Sequence, residues 1–258
     1  MDERIRTLRS LEPSNSGRVS YLAILEAAAG LFGQFSAKHI MLRDILSISG
    51  ASNQTLYNYF PNGRDDIAIA LYDRFQRTIL EGYNSNIQSI NSVVTPNNAA
   101  MVAQLSACLA RSVFGFLTET YPLQSSLFDY LKSHNLVFIA SHSEELEEAV
   151  TQAMTRHFGK RFSAADLPRI VRVSVHAVRS LADTALMNPD FPLDVLESNA
   201  RKMVRALLTT GLLGQDYPSG SHAPLPYATG AIAILGAPIG PVKRQGIMDR
   251  ILKRNRQG

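Results

Sequence analysis

Apolar residues recur every three or four positions along most of this chain, and that period predicts an all-α protein. The first periodic stretch, residues 18–33, predicts a short amphipathic helix with a buried face made of Leu22, Leu25, Ala28, Ala29 and Phe32. The second stretch, residues 41–48, predicts a helix that Gly50 stops and whose inward side chains are Leu42, Ile45 and Leu46, with Met41 and Ile48.

A third short helix is predicted directly after that glycine. The Ser52 hydroxyl can accept a hydrogen bond from the free N–H groups of the first turn, and Leu56 and Phe60, four residues apart, turn inward. The outer face is then left to Gln54, Thr55, Tyr57, Asn58 and Tyr59. Two short helices joined at a glycine, with a polar outer face on the second, predict a helix-turn-helix whose second helix reads DNA.

The body that follows is divided by caps and prolines. Asp65 and Asp66 favour a helix start at residue 64, and Tyr121-Pro122 is predicted to separate two helices. A capping box, Ser141-His-Ser-Glu144, predicts the start of another helix. The predicted body helices are 64–91, 96–118, 122–138, 141–158, 163–187 and one from Asp190-Phe-Pro-Leu193 to about Gly211.

The residues of the reading element and its surroundings resemble the N-terminal domain of TetR-family regulators over about residues 18–72. The resemblance rests on Ile24-Leu25-Glu26-Ala27-Ala28, Leu31-Phe32, Arg43-Asp44-Ile45, Gly50-Ala51-Ser52 and Thr55-Leu56-Tyr57-Asn58-Tyr59-Phe60-Pro61. It implies an all-α homodimer with an N-terminal helix-turn-helix DNA-binding domain and a C-terminal helical effector-binding and dimerisation domain. The DNA-binding residues that follow from it, with the Ser52 cap and the nearby arginines, are Arg43, Ser52, Asn53, Gln54, Thr55, Tyr57, Asn58, Tyr59 and Arg64.

Several positions differ from the usual family pattern. Ser36 stands where a glycine is usual, Ile40 and Met41 replace the hydroxyl residues that cap the second helix, and Leu46 replaces a small alanine. The segment Pro61–Asp66 is one residue longer than usual, so Arg64 takes the place of the phosphate-contacting lysine in a displaced position. Asn and Gln side chains can bond adenine bidentately, and the choice among Asn53, Gln54 and Asn58 stays open.

The body is expected to supply an effector pocket and a dimer interface. The expected pocket residues lie on the middle helices: Arg111, Phe114, Leu117, Phe128, His134, Phe138, Met154 and His176, with Phe116 and Tyr130 as further walls. The last two helices mix small and aliphatic residues, which allows close packing either against a second copy or within one core. The expected dimer residues are Val178, Leu181, Ala182, Ala185, Leu196, Ala200, Met203, Val204 and Leu207.

Composition adds limits and changes one inference. Residues 241–258 hold six basic side chains and one acidic one, whereas the whole chain carries a net charge of +4, so the basic balance comes from the tail. The single cysteine, Cys108, and the six histidines show no metal-ligand spacing, and no catalytic motif is evident, so we expect no cofactor, metal or enzyme activity. We predict no secretory signal and no membrane span, and hence a cytoplasmic protein.

The sequence therefore divides into four predicted parts: a flexible N-terminal arm, 1–17; a helix-turn-helix domain, 18–64; a helical ligand-binding and dimerisation domain, 65–214; and a Pro/Gly-rich basic tail, 215–258, expected to be disordered. The predicted function is a dimeric repressor that a small molecule releases from a palindromic DNA operator. The alternatives are an effector-independent activator or architectural DNA-binding protein of the same fold, and a helical scaffold that does not bind DNA.

Overall fold

The computed structural model describes residues 3–15, 17–91, 98–137, 143–158, 162 and 166–213. Within these ranges the regular structure is helical, without strands, so the predicted all-α class is confirmed. The helices are α1 (Glu3–Leu11), α2 (Arg18–Gln34), α3 (Leu42–Ser49), α4 (Asn53–Tyr59), α5 (Arg64–Asn91), α6 (Asn98–Ser133), α7 (Glu144–Phe158), α8 (Asp166–Met187) and α9 (Leu193–Leu213), with a 3-10 turn at Ala37–His39.

The helix-turn-helix forms where the sequence predicts it. Gly50 ends α3 with a left-handed φ of 66°, a conformation in which a side chain is strained, and its N–H donates to the Leu46 carbonyl. Asp44 takes over the capping of α3, because its carboxylate accepts from the Met41 N–H at 3.0 Å. Met41 and Ile48, predicted to face inward, are 50% and 62% exposed, because Ile45 alone fills the buried position of this short helix.

The prediction of a flexible arm over residues 1–17 is wrong for most of that segment, because residues 3–11 form α1. Ile5 and Leu8 are buried against α5, and Arg4 and Arg9 pair with two buried carboxylates of α5, Asp66 and Asp73. These contacts join residues more than 60 positions apart, which explains why local periodicity did not reveal the helix. The N-terminal segment therefore contributes a packed helix at the helix-turn-helix end of the protein.

Helix α6 runs through the centre of the body, with α2, α5, α8 and α9 packed against it. The two helices predicted on either side of Tyr121-Pro122 are one helix with a kink at Thr120, whose φ and ψ of −118° and 15° are not helical. Pro122 explains the kink, because it has no N–H to donate to the preceding turn and its ring crowds the carbonyl there. The kink separates an N-terminal half in the body from a C-terminal half that packs on α2 and the 3-10 turn.

Contrary to the sequence expectation, α6 is long and apolar enough by composition to cross a bilayer. In the structure 61% of its most apolar window is buried inside the protein. A central helix surrounded by other helices has this character, because it buries apolar side chains on most of its circumference. The apolar run of α6 is thus explained by its place in the core.

Helices α8 and α9 pack against each other and against α6, and this contact uses most of the residues expected at a dimer interface. Those buried within the single chain are Val178, Ala182, Ala185, Leu196, Ala200 and Val204. They are core residues, so the prediction had both helices rotated. Leu181 and Leu207 are half-buried and Met203 is 38% exposed, so these three lie nearer the outer face.

Three sequence predictions fall outside the described residues. They are the tail 215–258, the pocket residue Phe138, and the capping box that begins at Ser141. The helix that the capping box introduces is present as α7, and Ser143 stands directly before it, with its hydroxyl 2.7 Å from Glu147 Oε1.

Candidate DNA interface and effector cavity

Helix α4 is held to the protein by two buried side chains and capped at its start. Leu56 and Phe60 are fully buried, and the Phe60 ring stacks on Tyr21 of α2 at 5.2 Å. The Ser52 hydroxyl accepts from the Thr55 N–H at 3.0 Å, which confirms the predicted cap and satisfies one free donor of the first turn. The orientation of α4 is therefore fixed from inside, and its outer face is free.

That outer face carries hydrogen-bonding groups and no charge. Asn53, Gln54 and Asn58 are exposed, and Tyr57 is 49% exposed beside them. Amide side chains both donate and accept, which suits the donor and acceptor pattern of base edges in a major groove. Thr55 is only half-buried and bonded to Ser52, so its hydroxyl belongs to the cap.

Tyr59, predicted to lie on the outer face, leans back onto α2. Its ring meets Tyr21 edge-on at 5.6 Å, and its hydroxyl lies against Gly17, where an added Cβ would stand 2.2 Å away. A side chain at position 17 would therefore have to displace the Tyr59 hydroxyl. Arg18 follows Gly17 directly and is exposed, so a basic side chain flanks the end of α4. The sequence does not indicate Arg18 as a candidate phosphate contact, because only this long-range packing brings it near α4.

The two predicted basic contacts have different surroundings. The Arg43 side chain is 80% exposed near the start of α3 and is available to a phosphate. Arg64, in contrast, points into the protein: its Nε donates to the Tyr130 hydroxyl at 3.0 Å, and a terminal nitrogen donates to the Ile40 carbonyl. The guanidinium also lies 4.7 Å from the centre of the Tyr130 ring. In this structure Arg64 therefore joins the turn before α3 to α6.

A small cavity of about 30 Å³ lies among α5, α6, α7 and α8. Its apolar walls include Ile79, Val113, Leu117 and Leu186; its polar lining consists of Tyr72, Gln76, Gln124, Arg179 and Asp183. Burial raises the pKa of the Asp183 carboxyl, and Arg179 counteracts part of that rise. Leu117 and Gln124 lie on either side of the α6 kink, so the cavity adjoins the one irregular point of that helix.

Comparison with known proteins identifies this arrangement of helices. A TetR transcriptional regulator from Rhodococcus sp. RHA1 superposes with a TM-score of 0.52 at 18% identity, over 74% of this chain and 96% of that one. A tetR-family regulator from Streptomyces coelicolor gives 0.50 at 21% identity, over 76% and 85% of the two chains. The multidrug binding protein EbrR, complexed with imidazole, gives 0.50 at 17% identity, over 72% and 93%.

The chain has the TetR-type fold. No family model and no curated protein matches the amino-acid sequence itself. Low sequence identity with a shared fold is expected when the positions that must remain are mainly the apolar face of each helix, a capped turn and a glycine. The resemblance noted in residues 18–72 thus extends, at the level of fold, through the helical body.

The cavity beside the α6 kink is lined by only one of the predicted pocket residues, Leu117. Phe114, Phe128 and Met154 are buried core residues, and Arg111 is exposed. His134 is exposed and stacks on Tyr130, while His176 is exposed and lies 3.4 Å from Glu147. The polar cavity residues come from α5, α6 and α8, which are distant in sequence, so no local pattern links them. Over the described residues no cluster of metal-ligating side chains is found.

Proposed function

We propose that this protein is a cytoplasmic, dimeric DNA-binding transcriptional repressor that a small molecule releases from a palindromic operator. The observation that carries the proposal is the outer face of α4, where Asn53, Gln54, Tyr57 and Asn58 project from a helix anchored by buried Leu56 and Phe60. Packing of α4 against the protein uses Leu56 and Phe60, so it does not account for three exposed amides and a half-exposed tyrosine on the outer face of the same short helix. The TetR-type fold supports the same interpretation.

The character of this face suggests what it reads. Amides pair bidentately with adenine, whereas guanine is most often read by Arg or Lys, and α4 contains neither. We expect half-sites in which A·T pairs occupy the positions opposite Asn53, Gln54 or Asn58. Affinity then comes from exposed basic residues that flank the reader, namely Arg18, Lys38 and Arg43.

The dimer that the proposal requires has a candidate surface on α8 and α9. Apolar side chains that are exposed or half-buried there are spaced for one helix face: Val173, Ala177 and Leu181 on α8, and Val195 and Met203 on α9. Val173 and Val195 are 52% and 47% exposed, which is costly to leave in water over a continuous face. Pairing this face with its copy forms a four-helix contact and sets two readers at a fixed distance.

The cavity at the α6 kink is the candidate effector site. At about 30 Å³ it has room for about one or two water molecules, so an effector must widen it to bind. A ligand that favours the widened state shifts the population of conformers by its difference in affinity for the two states. EbrR, a multidrug binding protein with a similar fold, forms a complex with imidazole, which is consistent with small-molecule control in this fold.

The proposal is tested by selecting bound DNA from a random pool with the full chain. A palindromic consensus with half-sites about one helical turn apart supports a dimeric regulator. Enrichment of a single half-site indicates that the protein binds DNA without forming a symmetric dimer on it. No enrichment contradicts DNA recognition and favours a helical scaffold. Transcription from the selected site with and without the protein then separates repressor from activator.

The dimer surface is tested by Met203→Glu. Symmetry places two copies of the new carboxylate near each other in an apolar contact, so we expect the dimer dissociation constant to rise by roughly tenfold or more. Sedimentation velocity measures the change. Val19→Glu is the matched control, because Val19 is 78% exposed on α2, far from α8 and α9 in the chain. Equal oligomeric state in wild type and Met203→Glu contradicts this surface.

A further inference from the structure

Arg64 contacts the DNA-binding end and the body at the same time. One side of its guanidinium donates to the Ile40 carbonyl, in the turn that leads into α3, and Nε donates to the Tyr130 hydroxyl of α6 at 3.0 Å. Tyr130 is 2% exposed and packs edge-on against Phe32 of α2 at 5.7 Å. The planar fork of an arginine, with five donors, allows one side chain to join two partners at fixed angles.

The Tyr130 hydroxyl completes this cluster. It donates to Asp65 Oδ1 at 2.5 Å while it accepts from Arg64. Burial raises the pKa of Tyr130 to about 12, so the phenol keeps the proton that it donates to Asp65. The His134 ring stacks on the Tyr130 ring, with the two ring centres 4.0 Å apart. Arg64, Tyr130 and Asp65 therefore form a chain of hydrogen bonds between α5 and α6.

The backbone around Arg64 is built to place it there. Gly63 has a left-handed φ of 59°, and Asp66 accepts from the Asn62 N–H at 2.7 Å, which together turn the chain tightly into α5. This turn contains the extra residue relative to the usual family pattern. From this turn the Arg64 side chain is directed at Tyr130.

A second contact links the same half of α6 to the DNA-binding end: the Ser126 hydroxyl donates to the Phe35 carbonyl at the end of α2, at 2.9 Å. The other end of this half-helix begins at the Thr120 kink, where Gln124 lines the cavity. The segment between Thr120 and Ser133 thus touches the cavity at one end and the turn before α3 near the other.

We infer that Arg64 is a positioning residue, which sets the angle of the reading helix relative to the body through Tyr130 and Ile40, and is not a phosphate contact. The inference rests on the proposed function, since the angle matters only when two readers must match two half-sites. On this inference, the Arg64–Tyr130 contact determines which distance between half-sites the dimer prefers. Tyr130 is buried in the body and cannot reach DNA, which makes it the informative residue to change.

The experiment uses the full chain and three DNA duplexes: the palindrome selected by wild type, and the same half-sites with one base pair added or removed at the centre. Tyr130→Phe keeps the ring and removes the hydroxyl. We expect the preference for the selected spacing to fall by roughly tenfold in Tyr130→Phe and in Arg64→Gln, and no further in the double variant. The dependence of affinity on salt should keep its wild-type slope in both, because no phosphate contact is lost.

Tyr83→Phe is the matched control, since Tyr83 is an equally buried tyrosine that lies beside Cys108 in the body. Circular dichroism and the denaturation midpoint confirm that each variant folds. The inference is overturned if Arg64→Gln lowers the affinity for all three duplexes equally and reduces the slope of log affinity against log salt concentration by about two per dimer, while Tyr130→Phe behaves as wild type. Unchanged spacing preference in both variants overturns it too. Failure of wild type to select any DNA is a different result, which refutes the proposed function and the inference with it.

Discussion

Leu56→Ala is expected to lower the free energy of unfolding by about 2–5 kcal/mol, the range for truncating a buried leucine. Leu56 is fully buried in the middle of α4. Urea denaturation followed by circular dichroism measures the loss. A short helix of seven residues cannot form on its own, so its stability depends on this packing.

The neighbouring residue supplies the matched comparison. Tyr57→Ala removes a ring that is 49% exposed, so stability should change by less than about 1 kcal/mol while affinity for the selected DNA falls. The orientation of α4 therefore predicts that Leu56→Ala lowers stability, whereas Tyr57→Ala lowers DNA affinity. If Tyr57→Ala unfolds early and binds DNA normally, α4 is rotated relative to the structure.

Arg9→Met is expected to destabilise the protein by about 1.5–3 kcal/mol, the range for losing hydrogen bonds to a charged group. Arg9 binds Asp73 with two nitrogens, the shorter contact being 2.7 Å, and the Asp73 carboxylate is only 4% exposed. Methionine retains the apolar part of the side chain and removes its charge. The buried Asp73 carboxylate then loses one of its two basic neighbours in these contacts and keeps Arg77, at 3.2 Å. The midpoint of urea denaturation gives the change.

Glu145→Gln is the control for the outer half of the same contact. Glu145 accepts from Arg9 at 2.5 Å but is 36% exposed, so its loss should change stability by less than about 1 kcal/mol. Equal effects from Arg9→Met and Glu145→Gln would mean that α1 is attached to α7 and not, as we conclude, to α5. No effect from either variant would mean that α1 adds no stability.

Features set by neighbours in the chain were predictable. Ser52 caps α4, Gly50 ends α3, and Leu56 and Phe60 face inward as their spacing indicates. Each depends on backbone geometry within one turn, where propensity and capping act directly. The period of apolar residues likewise predicted most of the body helices, and Pro122 marked the kink although the helix continues through it.

Features set by distant partners were not predictable. Helix α1 has only two buried apolar residues, and two of its arginines make ion pairs with residues of α5 and α7 that are distant in the chain. On α8 and α9 small and aliphatic residues occupy more than one face, so the sequence alone did not distinguish the buried side, with Val178 and Ala200, from the exposed side, with Val173 and Val195. Arg64 illustrates the same limit, since its partner Tyr130 lies 66 positions away in the chain.

The central claim, that α4 reads base edges, is tested most directly by repeating the DNA selection with Gln54→Ala. Gln54 is exposed on the outer face and makes no contact that stabilises the fold among the hydrogen bonds of the described residues. We expect the palindrome and its spacing to persist while one base position, the same in both half-sites, loses its preference, at a cost of about 1–3 kcal/mol per bidentate pair. Asn53→Ala and Asn58→Ala extend the comparison along the helix. An unchanged consensus in all three variants would contradict the claim.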